Sequence, residues 1–182
     1  TAPLSEQMLA LVAATDHTRT VLVTPYPETL EVLAPWATQG EPRSSTDEVP
    51  AACGWYVGQR AGALPEAGLT YEVPSDVHSC WGGGVVDDSR RTEGLVTTVV
   101  GMARGFTNEH LDESGYAALA MNVLGRYDTL VWWLPSANDP LQFAEDAPVV
   151  EEPEHDDADN EERQQRHQRP ARAVVLPLEG HR

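Results

Sequence analysis

The chain has 182 residues, 41% of them hydrophobic, and carries 29 acidic against 12 basic side chains, a formal net charge of −17. That length supports one domain with one core and a tail, and no apolar run is long enough to cross a bilayer. The acidity disfavours nucleic-acid backbones and anionic lipid, and because every Lys/Arg position is arginine, lysine Schiff-base chemistry and lysine phosphate loops are excluded.

Leu4, Met8, Leu11 and Val12 fall at helical spacing, with Ser5 as N-cap, so a helix is expected over 4–14. Thr20, Val21, Leu22, Val23 and Thr24 form a short β-branched strand, and Pro27 is placed to start the next helix, which Pro35 ends. Residues 38–50 read as a surface connection. In 53–94 the expected pieces are a strand at Leu69–Val73, a turn at Trp81–Gly84, and a short edge strand at Val85 and Val86 turning at Asp87 and Asp88. This cysteine-bracketed section reads as an insertion or an irregular edge of the sheet. Leu95–Val100 is near-continuously apolar, as in a strand covered on both faces. Thr107 is expected to cap a helix that reaches Gly125, and Thr129–Leu134 to return as a second buried strand with Trp132 and Trp133 under helices. The unit is β-α-β, which predicts two parallel strands lying side by side.

Cys53 and Cys80 lie in glycine- and proline-rich surroundings, which points to a disulfide in an oxidising compartment. Two unpaired thiols in a cytoplasmic protein are the alternative. Such a bridge would stabilise the fold by roughly 3–4 kcal/mol. The chain starts at Thr1 without a charged-then-apolar leader and is expected to be processed, or the soluble part of something larger. Beyond residue 147 the character changes. Residues 151–162 hold eight acids and residues 163–172 four arginines, so 1–147 is expected to form the domain and 148–182 a charged, disordered tail. The apolar island Ala173–Leu178 reads either as a strand added to a sheet edge or as a less polar piece of that tail.

Phe106 to Leu111, Gly115 to Leu119, Leu124 with Gly125, and Val131 to Ser136 with Asp139 together resemble a domain-of-unknown-function family of actinobacterial membrane proteins, often encoded beside MoxR-type AAA+ ATPases. Val21 to Pro25, Leu30, Leu33 to Pro35, Cys53 and Ser79 to Trp81 also fit it. The resemblance spans about residues 4–140. It implies an extracytoplasmic α/β domain between two membrane spans, similar to glutamine-amidotransferase-like and flavodoxin-like sheets, with no established catalytic role. The two cysteines would then be an extracytoplasmic pair. Tyr116 departs from the family, which has Asn there.

Cys80, with His78 two residues before it, is the candidate nucleophile of an amidotransferase-like hydrolase. Gly82 suits a nucleophile elbow, but His78 occupies the place of a small residue and no apolar-periodic helix follows Gly84. Gly101, Thr107, Asn108 and Glu109 follow the C-terminal end of a strand, where open α/β sheets bind ligands; the competing reading is that Thr107 and Asn108 cap a helix and Glu109 favours its dipole. Ser136 and Asp139 belong to the same edge. No His, Cys, Asp or Glu set has helical zinc spacing, and His155 with Asp156, Asp157 and Asp159 lacks the rest of a calcium loop. No metal and no cofactor are expected. The reading is therefore a single open, largely parallel α/β sheet flanked by helices, serving as a non-catalytic extracytoplasmic interaction or ligand-sensing domain with a protein partner in a membrane-associated complex. The rivals are the hydrolase and a soluble adaptor that binds through its charged tail.

Overall fold

The computed structural model describes residues 4–15, 17–43, 47–91 and 95–134, and the backbone of 172–176. The first helix, α1 (Glu6–Ala14), starts where the Ser5 hydroxyl accepts a hydrogen bond from the Met8 amide at 3.3 Å. Its inward face is Met8, Leu9 and Val12; Leu11, expected on that face, is 56% exposed. Strand β1 (Arg19–Val23) is buried throughout, and α2 (Pro27–Leu33) opens on its proline as expected. Short β2 (Thr38–Gln39) pairs antiparallel with β3 (Tyr71–Glu72), so part of the expected surface connection is a small second sheet. Between them lies α3 (Tyr56–Ala61). Next come β4 (His78–Cys80), a 3-10 turn at Trp81–Gly83, β5 (Val85–Asp87) and β6 (Val96–Val100). Then follow α4 (Tyr116–Leu124), β7 (Thr129–Trp132) and β8 (Arg172–Leu176).

The main sheet has six strands in the order β4-β5-β6-β1-β8-β7. β6, β1, β8 and β7 run parallel, whereas β4–β5 and β5–β6 are antiparallel. The sheet is mixed rather than purely parallel, because residues 78–87 fold as a hairpin through the tight Trp81–Gly83 turn and lay it against β6. For the same reason the cysteine-bracketed section is no irregular appendage. It supplies two sheet strands, and β5 is an interior strand with all three residues buried. β6 and β7 run the same way, but two strands, β1 and β8, separate them; the expected side-by-side pairing does not occur.

Alternation along the strands sorts the core into two faces. Val21, Val23, Val85 and Val100 pack with Val57 and Ala61 of α3 and Tyr116, Leu119 and Val123 of α4. Leu22, Val86 and Val99 pack on the other face with Val12 of α1 and Leu30 of α2. Each such fully buried side chain contributes about 1.5–3 kcal/mol against the entropy of ordering the chain.

No helix starts at Thr107. Successive i→i+3 bonds, His110 to Thr107, Glu113 to His110 and Tyr116 to Glu113, wind residues 107–116 as linked turns. The helix waits for Gly115, whose φ of 76° opens it; a Cβ there would press on the Ala61 and Ala63 carbonyls. β7 is also unlike its expectation. It is a sheet edge, and Leu130, Val131 and Trp132 are exposed, while Trp133 packs partly against the α1/α2 face.

Candidate functional site

Neighbouring strands β1 and β6 send their outgoing chains to opposite faces, into α2 and toward α4. That is the topological switch point at which open α/β sheets form a ligand crevice. Here the chain fills its own crevice. The Leu69 amide donates to the Gly101 carbonyl at 2.9 Å, and the Gly101 amide donates to Gly84 at 2.7 Å. A Cβ on Gly101 would collide with the Leu69 carbonyl, and one on Gly68 with Gly101. Gly101 thus permits close approach, but of residues 67–69 rather than of a ligand. On the β1 side, Thr24 carries the strand one step further by donating its amide to Val100 at 2.7 Å. It does so at φ 44°, costly for a β-branched residue, with its hydroxyl buried and unpaired.

Beyond the plug, the other expected edge residues scatter. The Thr107 hydroxyl donates to the Arg104 carbonyl at 2.9 Å, and Asn108 and Glu109 are exposed on the linked turns. Ser136 and Asp139 lie outside the described residues, as do His155 and the acids around it. A polar cluster nearby was not anticipated. His110 Nδ1 lies 2.7 Å from Glu113 Oε1, Arg104 lies 3.7 Å from the same carboxylate, and the Tyr116 hydroxyl donates to Glu66 at 3.2 Å. Burial, then the Glu66 charge, holds the Tyr116 phenol well above its usual value. The cluster binds the turns to α4 and to the chain before the plug. No Ser, Thr or Cys side chain is hydrogen-bonded to His110 there among the described residues, so the pair has no partner of a nucleophilic dyad.

Cys53 and Cys80 form a disulfide with Cα atoms 5.2 Å apart. Both cysteines of the chain are thereby taken up, and Cys80 is fully buried. This corrects the hydrolase reading, because a sulfur in a disulfide is no nucleophile. His78 does not face Cys80 as a base; its ring stacks on Trp55 with centroids 5.5 Å apart. Burial, then the Arg90 charge, holds the His78 imidazole below its usual value. A cleft of about 530 Å³ opens beside the bridge, lined by Cys53, Tyr71, Ser75, His78, Gly83 and Arg90 among others.

The most heavily buried polar group lies at the other end of the parallel strands. Arg19 on β1 pairs with Asp87 on β5 at 2.5 Å, and Thr98 on β6 donates to the same Asp87 oxygen at 2.8 Å. Ser89 donates to the other oxygen through its amide at 3.1 Å and through its hydroxyl. Arg19 and Asp87 are buried to within 2% of completely, and the Arg19 Nε has no partner. The sequence signal was an arginine opening a strand and two aspartates closing another. Only the pairing of β5 with β6 and of β6 with β1 brings them together. The network ties three neighbouring strands together through one carboxylate, β5 carrying Asp87, β6 Thr98 and β1 Arg19. Among the described residues no group of three or more His, Cys, Asp or Glu side chains could hold a metal ion, and no helix is long and apolar enough to cross a membrane.

With this geometry in view, comparison with known proteins finds one family. The profile of DUF4350, a domain of unknown function, matches residues 2–124. An uncharacterized membrane protein of Mycobacterium tuberculosis is 37% identical over 130 residues, covering 70% of this chain and 30% of that protein. The chain thus spans less than a third of the length of the relative it matches. No solved structure matches the chain.

Proposed function

The chain belongs to the DUF4350 family of domains of unknown function, and from that membership we propose that it is a non-catalytic interaction module on the extracytoplasmic side of a cell-envelope membrane protein. The observation that carries the reading is the Cys53–Cys80 bridge. Disulfides persist in oxidising compartments and are rare in the cytoplasm, and this one consumes the thiols an amidotransferase-like reaction would need. Two further features support it: residues 67–69 fill the switch-point crevice, and the 37% identical relative is a membrane protein more than three times as long as the matched stretch. Its business is then with a protein partner in a membrane-associated complex.

The test is thiol labelling of intact cells that produce the whole protein. A membrane-impermeant maleimide should modify the half-buried Cys53 only after treatment with an impermeant reductant, while the fully buried Cys80 stays unlabelled in the folded domain. Labelling without reduction, or only after the membrane is opened, would refute the reading.

A further inference from the structure

Seven arginines lie among the described residues. Five of them reach a carboxylate, amide or hydroxyl on another side chain. Arg43 and Arg90 reach none among the described residues, and both stand at the cleft of about 530 Å³ beside the disulfide. Arg90 is part of its wall. Arg43 lies over Gly82, another wall residue, where an added Cβ would stand 2.5 Å from the Arg43 Nη1. In a chain of net charge −17, carboxylates are plentiful partners, yet these two guanidiniums are left open at one concavity. The β4–β5 hairpin explains the placement. Its strands are antiparallel with His78 opposite Asp87, so the chain entering β4 and the chain leaving β5 lie at the same end. Asp76 and Arg91 join these two segments at 3.1 Å, which neutralises Asp76. Asp87 is neutralised by Arg19. Arg90 is left beside His78, where its charge adds to burial in holding the imidazole below its usual value. The ring is therefore neutral near pH 7 and offers one donor and one acceptor. Glu72 is the wall's exposed carboxylate among the described residues, and against Arg43 and Arg90 it leaves a positive excess. Exposed Ser75 and Ser79 add hydroxyls, and Val73 and Pro74 an apolar stretch.

We propose that this cleft binds a small organic anion, its phosphate or carboxylate head held by Arg43 and Arg90 and its body lying against Val73 and Pro74. Arginine suits such a head because its planar fork matches two oxygens at once. A cleft of about 530 Å³ is of the size that takes a small molecule. The strongly anionic chain repels a long polyanion, so the ligand carries its charge in a compact head. The inference goes beyond the reading above by giving the module a ligand; it rests on the cleft and not on the compartment or on a protein partner.

Amide chemical shifts of the isotopically labelled chain test it, with phenyl phosphate, benzoate and uncharged phenol as probes at low ionic strength. Phenyl phosphate, benzoate or both should shift the Ser79, Gly82 and Gly83 amides saturably, with a dissociation constant of about 1 mM or below. Whichever anion binds identifies the head, and phenol should shift nothing there. Added salt should weaken binding to the wild type, and Arg43→Gln with Arg90→Gln should weaken it about tenfold or more. Arg60→Gln, at an arginine engaged with Asn122 instead, should leave it unchanged. The proposal is overturned if neither anion shifts these amides, if phenol matches them, if the affinity ignores salt, or if the double variant binds as the wild type does. An equal loss in Arg60→Gln would also overturn it, since overall charge would then account for the effect. Should the double variant not fold, the phenol and salt arms decide on the wild type alone. Binding is read on purified protein, so its outcome is separate from the labelling result in cells.

Discussion

Reduction of the Cys53–Cys80 bridge is the perturbation whose size the structure sets most directly. The cysteines are 27 residues apart, and in the chain-entropy treatment a loop of that length constrains the unfolded chain by about 3.5 kcal/mol. The native side adds little relief, because the sulfurs are packed: a Cβ on Gly58 would stand 2.5 Å from Cys53 Sγ and 3.2 Å from Cys80 Sγ. Cys80 itself is fully buried in the core that contains Trp81 and Val85. For about 130 ordered residues the unfolding entropy is roughly 0.27 kcal/mol per degree, so the expected fall in Tm is about 13 °C. Urea unfolding followed by tryptophan fluorescence, with and without a phosphine reductant, measures the difference, and the paired Cys53→Ala, Cys80→Ala variant should agree with the reduced wild type. The denaturant slope should rise on reduction, because the freed unfolded chain exposes more surface. A loss under about 1 kcal/mol would refute the reasoning, since it would mean that the bridge does not constrain the unfolded chain as the loop length requires.

Three other outcomes follow from the buried groups. Asp87→Asn or Arg19→Met alone should cost about 3–5 kcal/mol by leaving one charge of a buried pair uncompensated, and the double replacement should cost much less than the sum, both by chemical denaturation. Gly101→Ala should cost about 1–3 kcal/mol by driving the Leu69 carbonyl out of the switch-point crevice, visible as faster amide exchange at Leu69, whereas an unchanged variant would show that the plug is loose. The His78 imidazole is held below its usual value by burial and by Arg90, so the folded state resists its protonation. That penalty is present at acid pH and is relieved as pH rises toward the unfolded value near 6.5; His78→Gln should flatten this part of the stability–pH profile.

Local pattern made much of the framework readable. The Ser5 cap, the proline at the start of α2 and the β-branched run of β1 each appear within a residue or two of expectation, since each depends on near neighbours in sequence. Cys53 and Cys80 also find one another, as their loop settings suggested. The misplacements share a cause. Thr107 looks like a cap on its own, but the linked turns and the tight contact between Gly105 and the Tyr116 ring delay the helix to Gly115. Trp132 looks like a core residue, yet its strand lies at the sheet edge.

The residues by themselves determined that apolar strands alternate with helices and that the chain is strongly anionic, and they pointed to a pairing of the two sulfurs. Short-range sterics, hydrogen bonding and composition suffice for those. Tertiary structure alone decided that β4 and β5 fold back as a hairpin on β6, that residues 67–69 occupy the crevice a ligand would use, that Arg19 meets Asp87, and that the final strand enters between β1 and β7. Each joins segments tens of residues apart, and which of several chemically suitable edges a strand takes depends on the competition among all of them for one buried surface.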